Sequence, residues 1–319
     1  MKFSSALITA LLLLVSPAGA QIWPERTVRL VVPYPPGGNA DVVGRVIARA
    51  LQNELGQPFV IENKAGAGGL IGAESVVKSP ADGYTLLLSA NGPILYAPEM
   101  APRKPYEWRR DLTPVGTISL TSLVLLVHPS LPATSLREFI DLARREGAKL
   151  TFGSGGPGSS NHLFSELMQS RLNLNWTTVQ YKGTAPAMND LIGGHVQFSI
   201  DQVSASLPLI RDGRVRAIAV SGSRRVPWLP DVPTFVELGY GDLVGYTFAA
   251  LMAPAGTPKD VIEKLSGALK NALRDPQVAE QINALGAEPA AMTPQEFKAF
   301  LEKEDATWLP IVRKAAQTQ

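Results

Sequence analysis

The chain has 319 residues, 45% of them hydrophobic and 18% charged, with 30 basic against 28 acidic side chains and no cysteine. Without cysteine there are no disulfides, thiolate nucleophiles or cysteine-based zinc or iron–sulfur sites, so core packing has to hold the fold together. A net charge of +2 is too weak a field for nucleic acid or an anionic membrane as partner, so any selectivity for an anion must be local.

The first twenty residues, MKFSSALITALLLLVSPAGA, carry one lysine, an apolar run from Ala6 to Val15 and the small-residue ending Ala18-Gly19-Ala20. That is the layout of a secretory signal peptide cut after Ala20. Its removal leaves 299 residues of net charge +1, a length that suggests about two domains. The apolar run is shorter than the roughly twenty residues a bilayer span needs, and no later segment is long enough. Gln21 rather than cysteine follows the cut. The expectation is an exported, soluble protein with no lipid anchor.

Thr27 to Val32 (TVRLVV) reads as a buried strand running into Pro33-Tyr34-Pro35-Pro36-Gly37-Gly38-Asn39-Ala40-Asp41. A helix follows, with Val43, Val46, Ile47, Ala50 and Leu51 on one face. Asn39 or Asp41 can cap its start, and Gly56 is placed to end it. Strand FVIEN (59–63), the helix entry AGAGGLIG (65–72) with a helix to about Ser79, and strand TLLLS (85–89) continue the alternation. Short connections between strands and helices predict a parallel sheet covered by helices. Ala90 to Asp111, with Pro93, Pro98, Pro102 and Pro105, is expected to be a long irregular connection. Val115 to Leu120 and Leu123 to His128 are expected as two strands around a Thr-Ser turn.

The alternation then restarts with a helix from Leu136 to Gly147 behind the capping box Ser135-x-x-Glu138. Leu150 to His162, LTFGSGGPGSSNH, reads as a strand, a glycine-rich turn and a helix start, with Ser159 and Ser160 as natural caps and Leu163, Leu167, Met168 and Leu172 recurring along the helix. Strand 177–181, helix 185–192, strand 196–200, helix 202–211 and strand 216–220 follow. Beyond the proline-rich VPWLPDVP (226–233) comes a strand from Gly245 to Met252. Thr257-Pro258-Lys259-Asp260 and Thr293-Pro294-Gln295-Glu296 both read as helix starts, with threonine at the cap, proline first and an acid third, so the tail is mostly helical. Two such runs joined by extended segments suggest two similar domains rather than one long sheet.

Several chemistries lack their motifs. There is no G-x-S-x-G elbow, although an exported hydrolase or transferase using Ser154 or Ser159 with His162 is the alternative reading. AGAGGLIG spaces its glycines as Gly66-x-Gly68-x-x-x-Gly72, and no acid for a ribose follows Ser89-Ala90-Asn91, so it reads as a tight helix entry and not a dinucleotide fingerprint. No Walker A sequence is present. His128, His162 and His195 are far apart and no acid cluster has ligand spacing, so neither a metal nor a cofactor is expected. What remains is a set of neutral turns at strand ends: 34–41, 89–93, 153–161 and Lys182-Gly183-Thr184-Ala185-Pro186. All but the second precede helix starts, whose free N–H groups and partial positive charge suit an anion. Hydroxyls of Ser154, Ser159 and Ser160 add donors. Asp201 is either the cap of helix 202–211 or an acceptor for an ammonium, hydroxyl or held water on a ligand. Lys182 is either a countercharge or a solvated lysine.

VVPYPPGGNAD, IENKAGAGGLIGAE, PADGYTLLLSANG, LTFGSGGPGSSNH, VQYKGTAPAMNDLIGGHV, VRAIAVSGSRR with LPDVPTFVELGY, APAGTP and the TPQEF helix occur in this order over nearly the whole mature chain. In these motifs the chain resembles the Bordetella uptake gene (Bug) receptors, the extracytoplasmic solute-binding proteins of tripartite tricarboxylate transporters. The resemblance implies an α/β, type II-like periplasmic binding protein, with two domains of mixed sheet flanked by helices and a cleft between them. Residues 21–122 with 245–319 would form the first domain and 123–244 the second. It further implies a monomer in the periplasm that binds a small carboxylate or dicarboxylate without altering it and hands it to permease subunits or a sensor kinase. The family's binding loops fall on Pro36, Gly37, Gly38, Asn39 and Asp41, on Ser89 and Asn91, on Ser154, Gly158, Ser159, Ser160 and Asn161, and on Thr184 and Ala185. Asp201 would line the cleft, with waters completing the pocket. Relatives often carry a tryptophan where this chain has Gly245-Tyr246-Thr247-Phe248, a departure that bears on which acid fits.

Overall fold

The computed structural model describes residues 23–37, 39–181 and 183–317. The signal-peptide expectation, Gly38 and Lys182 therefore lie outside the described residues. In the first half, β1 (Val28–Val32), α1 (Asn39–Leu55), β2 (Phe59–Asn63), α2 (Leu70–Val77) and β3 (Thr85–Ser89) form two right-sized strand–helix–strand units, with β1 parallel to both β2 and β3. All five residues of β3 and four of five in β1 are buried, as strands covered on both faces must be.

The stretch after β3 departs from the irregular connection expected. Gly92–Tyr96 forms a π-helical turn, continued by α3 (Ala97–Met100), and α4 (Trp108–Asp111) precedes the next strand. Pro93 and Pro98 sit in the first turns of their helical segments, where a missing N–H costs nothing. Burial of Ile94, Leu95 and Tyr96 holds the turn in place.

A second correction concerns β4, which is one strand of 16 residues, Leu112–Val127, where two strands and a turn were expected. Thr121 and Ser122 pair with Thr247 and Tyr246, so the would-be turn is ladder. Neither residue favours the positive φ a tight hairpin turn demands, and threonine suits a strand. The consequence is architectural. Residues 112–122 of β4 pair with β9 (Tyr246–Pro254), while residues 123–127 pair with strands of the second half.

That second half comprises α5 (Leu136–Glu146), β5 (Thr151–Ser154), α6 (Ser160–Leu172), β6 (Thr177–Gln180), α7 (Thr184–Ile192), β7 (Phe198–Gln202), α8 (Val203–Arg211) and β8 (Arg216–Val220). Strand β5 runs parallel to β6 and β7, and β4 is antiparallel to β7 and β8. The chain then returns through β9 to α9 (Lys259–Arg274), α10 (Pro276–Ala284), β10 (Glu288–Pro289) and α11 (Pro294–Gln317). The hydrogen-bonded order is β2-β1-β3-β9-β4-β7-β5-β6, with β8 and β10 also on β4. The two βα runs are thus joined through β4, whose first part belongs to the ladder of the first half and whose last part to that of the second.

One cluster of buried side chains runs from Val31 and Leu87 through Tyr96 and Trp108 to Phe139, Phe152 and Phe198 in the second half. Phe198 is the centre of an aromatic group there, with ring centroids 5.0 Å from Phe139, 5.2 Å from Phe152 and 5.0 Å from Trp176. Among the described residues no helix is long and apolar enough to cross a membrane.

Candidate functional site

Between the halves lies a cleft of about 800 Å³. Most of its walls come from the carboxyl ends of the parallel strands, the position where loops of open α/β sheets are free to meet a ligand, with a part from the antiparallel β9. From the first half come Pro33–Pro36, Asn39 and Ala40 at the start of α1, Ala65–Leu70 before and at α2, Ala90 and Gly92 after β3, Met100, and Thr247–Ala249 of β9. From the second come Gly155, Pro157–Asn161, Gly183, Thr184, Asp201 and Gln202.

At α1 the third helical residue, Asp41, turns back to accept the Gly37 N–H at 2.9 Å. It also takes two bonds from Arg45, at 3.0 and 3.1 Å, and one from Asn63 Nδ2 at 3.0 Å. Burial pushes its carboxyl up, but these partners together outweigh that and hold it below its ordinary range. Asp41 therefore stands behind the wall and shapes the turn, while Pro36 and Asn39 line the cleft and Gly37 does not. Asn39 reaches across it: its Nδ2 donates to Gln202 Oε1 at 3.2 Å.

Ser89 and Asn91, both fully buried, are also behind the lining. Asn91 accepts the Phe248 N–H at 3.1 Å and donates to the Tyr246 carbonyl at 2.9 Å, so it braces the β9 segment that faces the cleft.

At α6 the turn is built by Gly156 and Gly158, whose φ angles of 112° and 71° few other residues adopt. Ser154 is buried beneath it and accepts the Gly156 N–H at 3.2 Å. Ser159 occupies the cap position without capping; its hydroxyl, with one proton to give, lies 2.5 Å from the Gly156 carbonyl oxygen and also within reach of Asn161 Oδ1. Asn161 Oδ1 accepts the His162 N–H at 2.8 Å, which fixes the amide so that Nδ2 is the free end. That Nδ2 is buried, on a residue 3% exposed in the cleft wall, and has no protein partner. Gly158, Ser159, Ser160 and Asn161 all line the cleft. At α7 Thr184 lines it, whereas Ala185 is exposed and does not.

Asp201, 3% exposed, also lines the cleft. Burial raises its carboxyl to about 6, opposed by the Gln202 backbone N–H and by the Ser206 hydroxyl, which donates at 3.0 Å. The cap of α8 is Gln202, so the reading of Asp201 as the helix cap is not what the fold adopts. Tyr34 and Asp201 are the only ionisable side chains among the described lining residues. Burial pushes the Tyr34 hydroxyl well above its ordinary value, so it stays neutral. The cleft thus offers helix starts and amides, and no described cation, to an anion.

For nucleophilic chemistry the geometry is unsuited. His162 Nδ1 accepts the Gly158 N–H at 3.3 Å and Nε2 stands 4.0 Å from Glu166 Oε1. Burial lowers its pKa, with Glu166 opposing. The hydroxyls of Ser154 and Ser159 are engaged with Gly156 and Asn161, not with this ring.

Sequence reasoning passed over the wall from Ala65 to Leu70, reading it only as a helix entry. The signal was present: this turn also follows a parallel strand and opens a helix, the criterion by which the other turns were picked. Leu123, Met100, Gln202 and Thr247–Ala249 had no comparable signal, since they line the cleft through tertiary packing.

The family model described as tripartite tricarboxylate transporter family receptor matches residues 43–316. The chain is 40% identical over 302 residues to protein BugT of Bordetella pertussis, covering 94% of this chain and 93% of BugT. Among solved structures, Rpa4515 of R. palustris with adipate is 36% identical with a TM-score of 0.82, covering 92% of this chain and 98% of that one. MatC of Rhodopseudomonas palustris with bound malate is 32% identical with a TM-score of 0.79, covering 91% and 100%.

Proposed function

The chain belongs to the tripartite tricarboxylate transporter receptor family, and from that premise we propose that it captures a small organic acid in the cleft between its halves and releases it unaltered. The observation that carries this reading is Asn161 Nδ2, a buried donor without a protein partner in a wall with no described cation. An unmade buried hydrogen bond is costly, so an unpaired amide on a residue of the cleft wall is suited to a guest acceptor. The starts of α6 and α7 flank it, and their partial positive charge favours an anionic guest over a neutral one.

The adipate and malate in the two similar structures make carboxylates the class to test first. Residues of both walls take part: Pro36, Asn39, Gly158, Ser159, Ser160, Asn161, Thr184 and Asp201 at the guest, with Gly37, Asp41, Ser89, Asn91, Ser154 and Ala185 supporting the loops. The protein acts in the periplasm as a monomer without enzymatic activity, and the loaded form is handed to permease subunits or a sensor kinase. Calorimetric titration with a panel of carboxylates, followed by chromatography of the recovered acid, tests the reading. Saturable binding with the acid recovered intact is expected. Turnover of the acid, or failure of every acid to bind, would reject it.

A further inference from the structure

At the end of β7 a carboxyl stands in the cleft wall with no described cation to answer it. Asp201 accepts the Ser206 hydroxyl and the Gln202 N–H, which leaves acceptor capacity on a group that has about four lone-pair sites. Among the described residues, the elements packed around it bring no cation that pairs with it. Its register partner on β4 is Val124, flanked by Leu123 and Leu125, and β5 offers Phe152 and Gly153. On α6 the titratable groups are His162 and Glu166, which face one another, and Arg171, which pairs with Asp242; Asp190 of α7 accepts the Tyr181 hydroxyl, Arg211 of α8 is exposed in that helix's last turn, and on α1 Asp41 is held by Arg45 behind the wall. Tyr34 is neutral. A negatively charged guest arriving beside an ionised Asp201 would meet a like charge in a poorly solvated place, where repulsion is strong.

Resting on the carboxylate-receptor reading above, we propose that Asp201 determines the class of acid: besides its anchored carboxylate, the guest presents a hydrogen-bond donor that Asp201 accepts. An ammonium or a hydroxyl meets this requirement directly. A second carboxyl meets it by keeping a proton, so a dicarboxylate binds with uptake of one proton from solvent, shared between its far carboxyl and Asp201. A site built to pair a polar group discriminates strongly against the analogue that lacks it, because the protein group is then left buried and unpaired. Burial already raises the Asp201 carboxyl to about 6, which makes that proton easy to hold.

The test is calorimetric titration of the chain from Gln21 with two matched sets. One is butanoate, 4-hydroxybutanoate, 4-aminobutanoate and succinate; the other is the six-carbon series ending in adipate. At whichever length binds, the donor-bearing acids are expected to bind about tenfold or more tightly than the plain alkanoate. Repeating the dicarboxylate titration at pH 7.5 in phosphate and in Tris, which differ in ionisation enthalpy, is expected to report uptake of about one proton. In Asp201→Asn, with folding checked by its melting curve, the preference for the amino acid over the alkanoate should collapse and the proton uptake should vanish. Equal affinities within each set, or a preference and proton uptake that survive in Asp201→Asn, would overturn this inference while leaving the carboxylate reading in place. Failure of all eight acids to bind would overturn both.

Discussion

Asn161 and Asp201 show opposite ways in which a buried polar group is left incomplete. Asn161 is fixed through its oxygen, by the His162 N–H with the Ser159 hydroxyl beside it, so its buried Nδ2 is the end left unpaired. A charge-assisted hydrogen bond there is worth about 1.5–3 kcal/mol. Asn161→Leu, which also fills the space, is expected to weaken binding of the best carboxylate at least tenfold by calorimetry, with little change in the unfolding midpoint of the free protein. For Asp201 the sign follows from its raised carboxyl pKa. The folded state holds the proton more tightly than the unfolded chain, so the group's contribution to stability is full below about pH 3.8 and is lost as the pH rises through about 6. Asparagine does not titrate. Asp201→Asn should therefore be more stable than the parent above pH 6, by on the order of 2–3 kcal/mol at most, with the gain shrinking towards pH 4. Urea melts of both proteins between pH 4 and 7.5 measure this; parallel curves would mean the carboxyl is not held without compensation.

At the scale of elements, the two Thr-Pro helix starts that look alike in sequence differ in the fold. Thr293 Oγ1 accepts the Glu296 N–H at 3.3 Å, and Glu296 returns a bond to the Thr293 N–H at 2.8 Å, the reciprocal pair of a capping box. Thr257 instead donates its hydroxyl to the Pro254 carbonyl at 2.8 Å, and α9 begins after Pro258. Thr293→Ala is expected to cost about 1 kcal/mol in urea unfolding, and a loss below a few tenths would show that α11 does not depend on its cap. Helices and parallel strands were legible because apolar spacing and capping residues act locally. The continuity of β4 was not, since Thr121 and Ser122 are strand or turn according to whether Thr247 and Tyr246 are there to pair with them. Pro93 and Pro98 misled for a related reason: proline breaks a helix interior but starts a helix, and which one applies depends on what Ile94, Leu95 and Tyr96 pack against.

For the whole molecule, the cleft joins halves that share a sheet and a core yet face each other through loops. Asn39 to Gln202 is a hydrogen bond that crosses it at 3.2 Å. A form in which both sets of loops touch the guest is favoured by the guest, so binding shifts the population towards closure. A carboxylate at about a hundred times its dissociation constant should add about 2.7 kcal/mol of stability, several degrees in Tm for units of this size. Asn39→Ala removes one neutral bond between the two walls and is expected to weaken the same acid by about two- to tenfold, seen mainly as faster release in stopped-flow displacement. Unchanged release would mean that the crossing bond does not help to hold the cleft shut.

The amino-acid sequence by itself determined the alternation of strands and helices and the turns that collect at strand ends, because each follows from residue type and spacing along a few positions. It also marked Asn161, Thr184 and Asp201 as groups at the ends of strands. Tertiary structure alone decided that Asp41, Ser89, Asn91 and Ser154 brace the wall from behind, that Ala65–Leu70 and Thr247–Ala249 complete it, and that Asp201 is not the cap of α8. Whether a polar group serves a helix, a neighbouring strand or the cleft depends on which partners distant segments bring within about 3 Å, and local spacing carries no record of that.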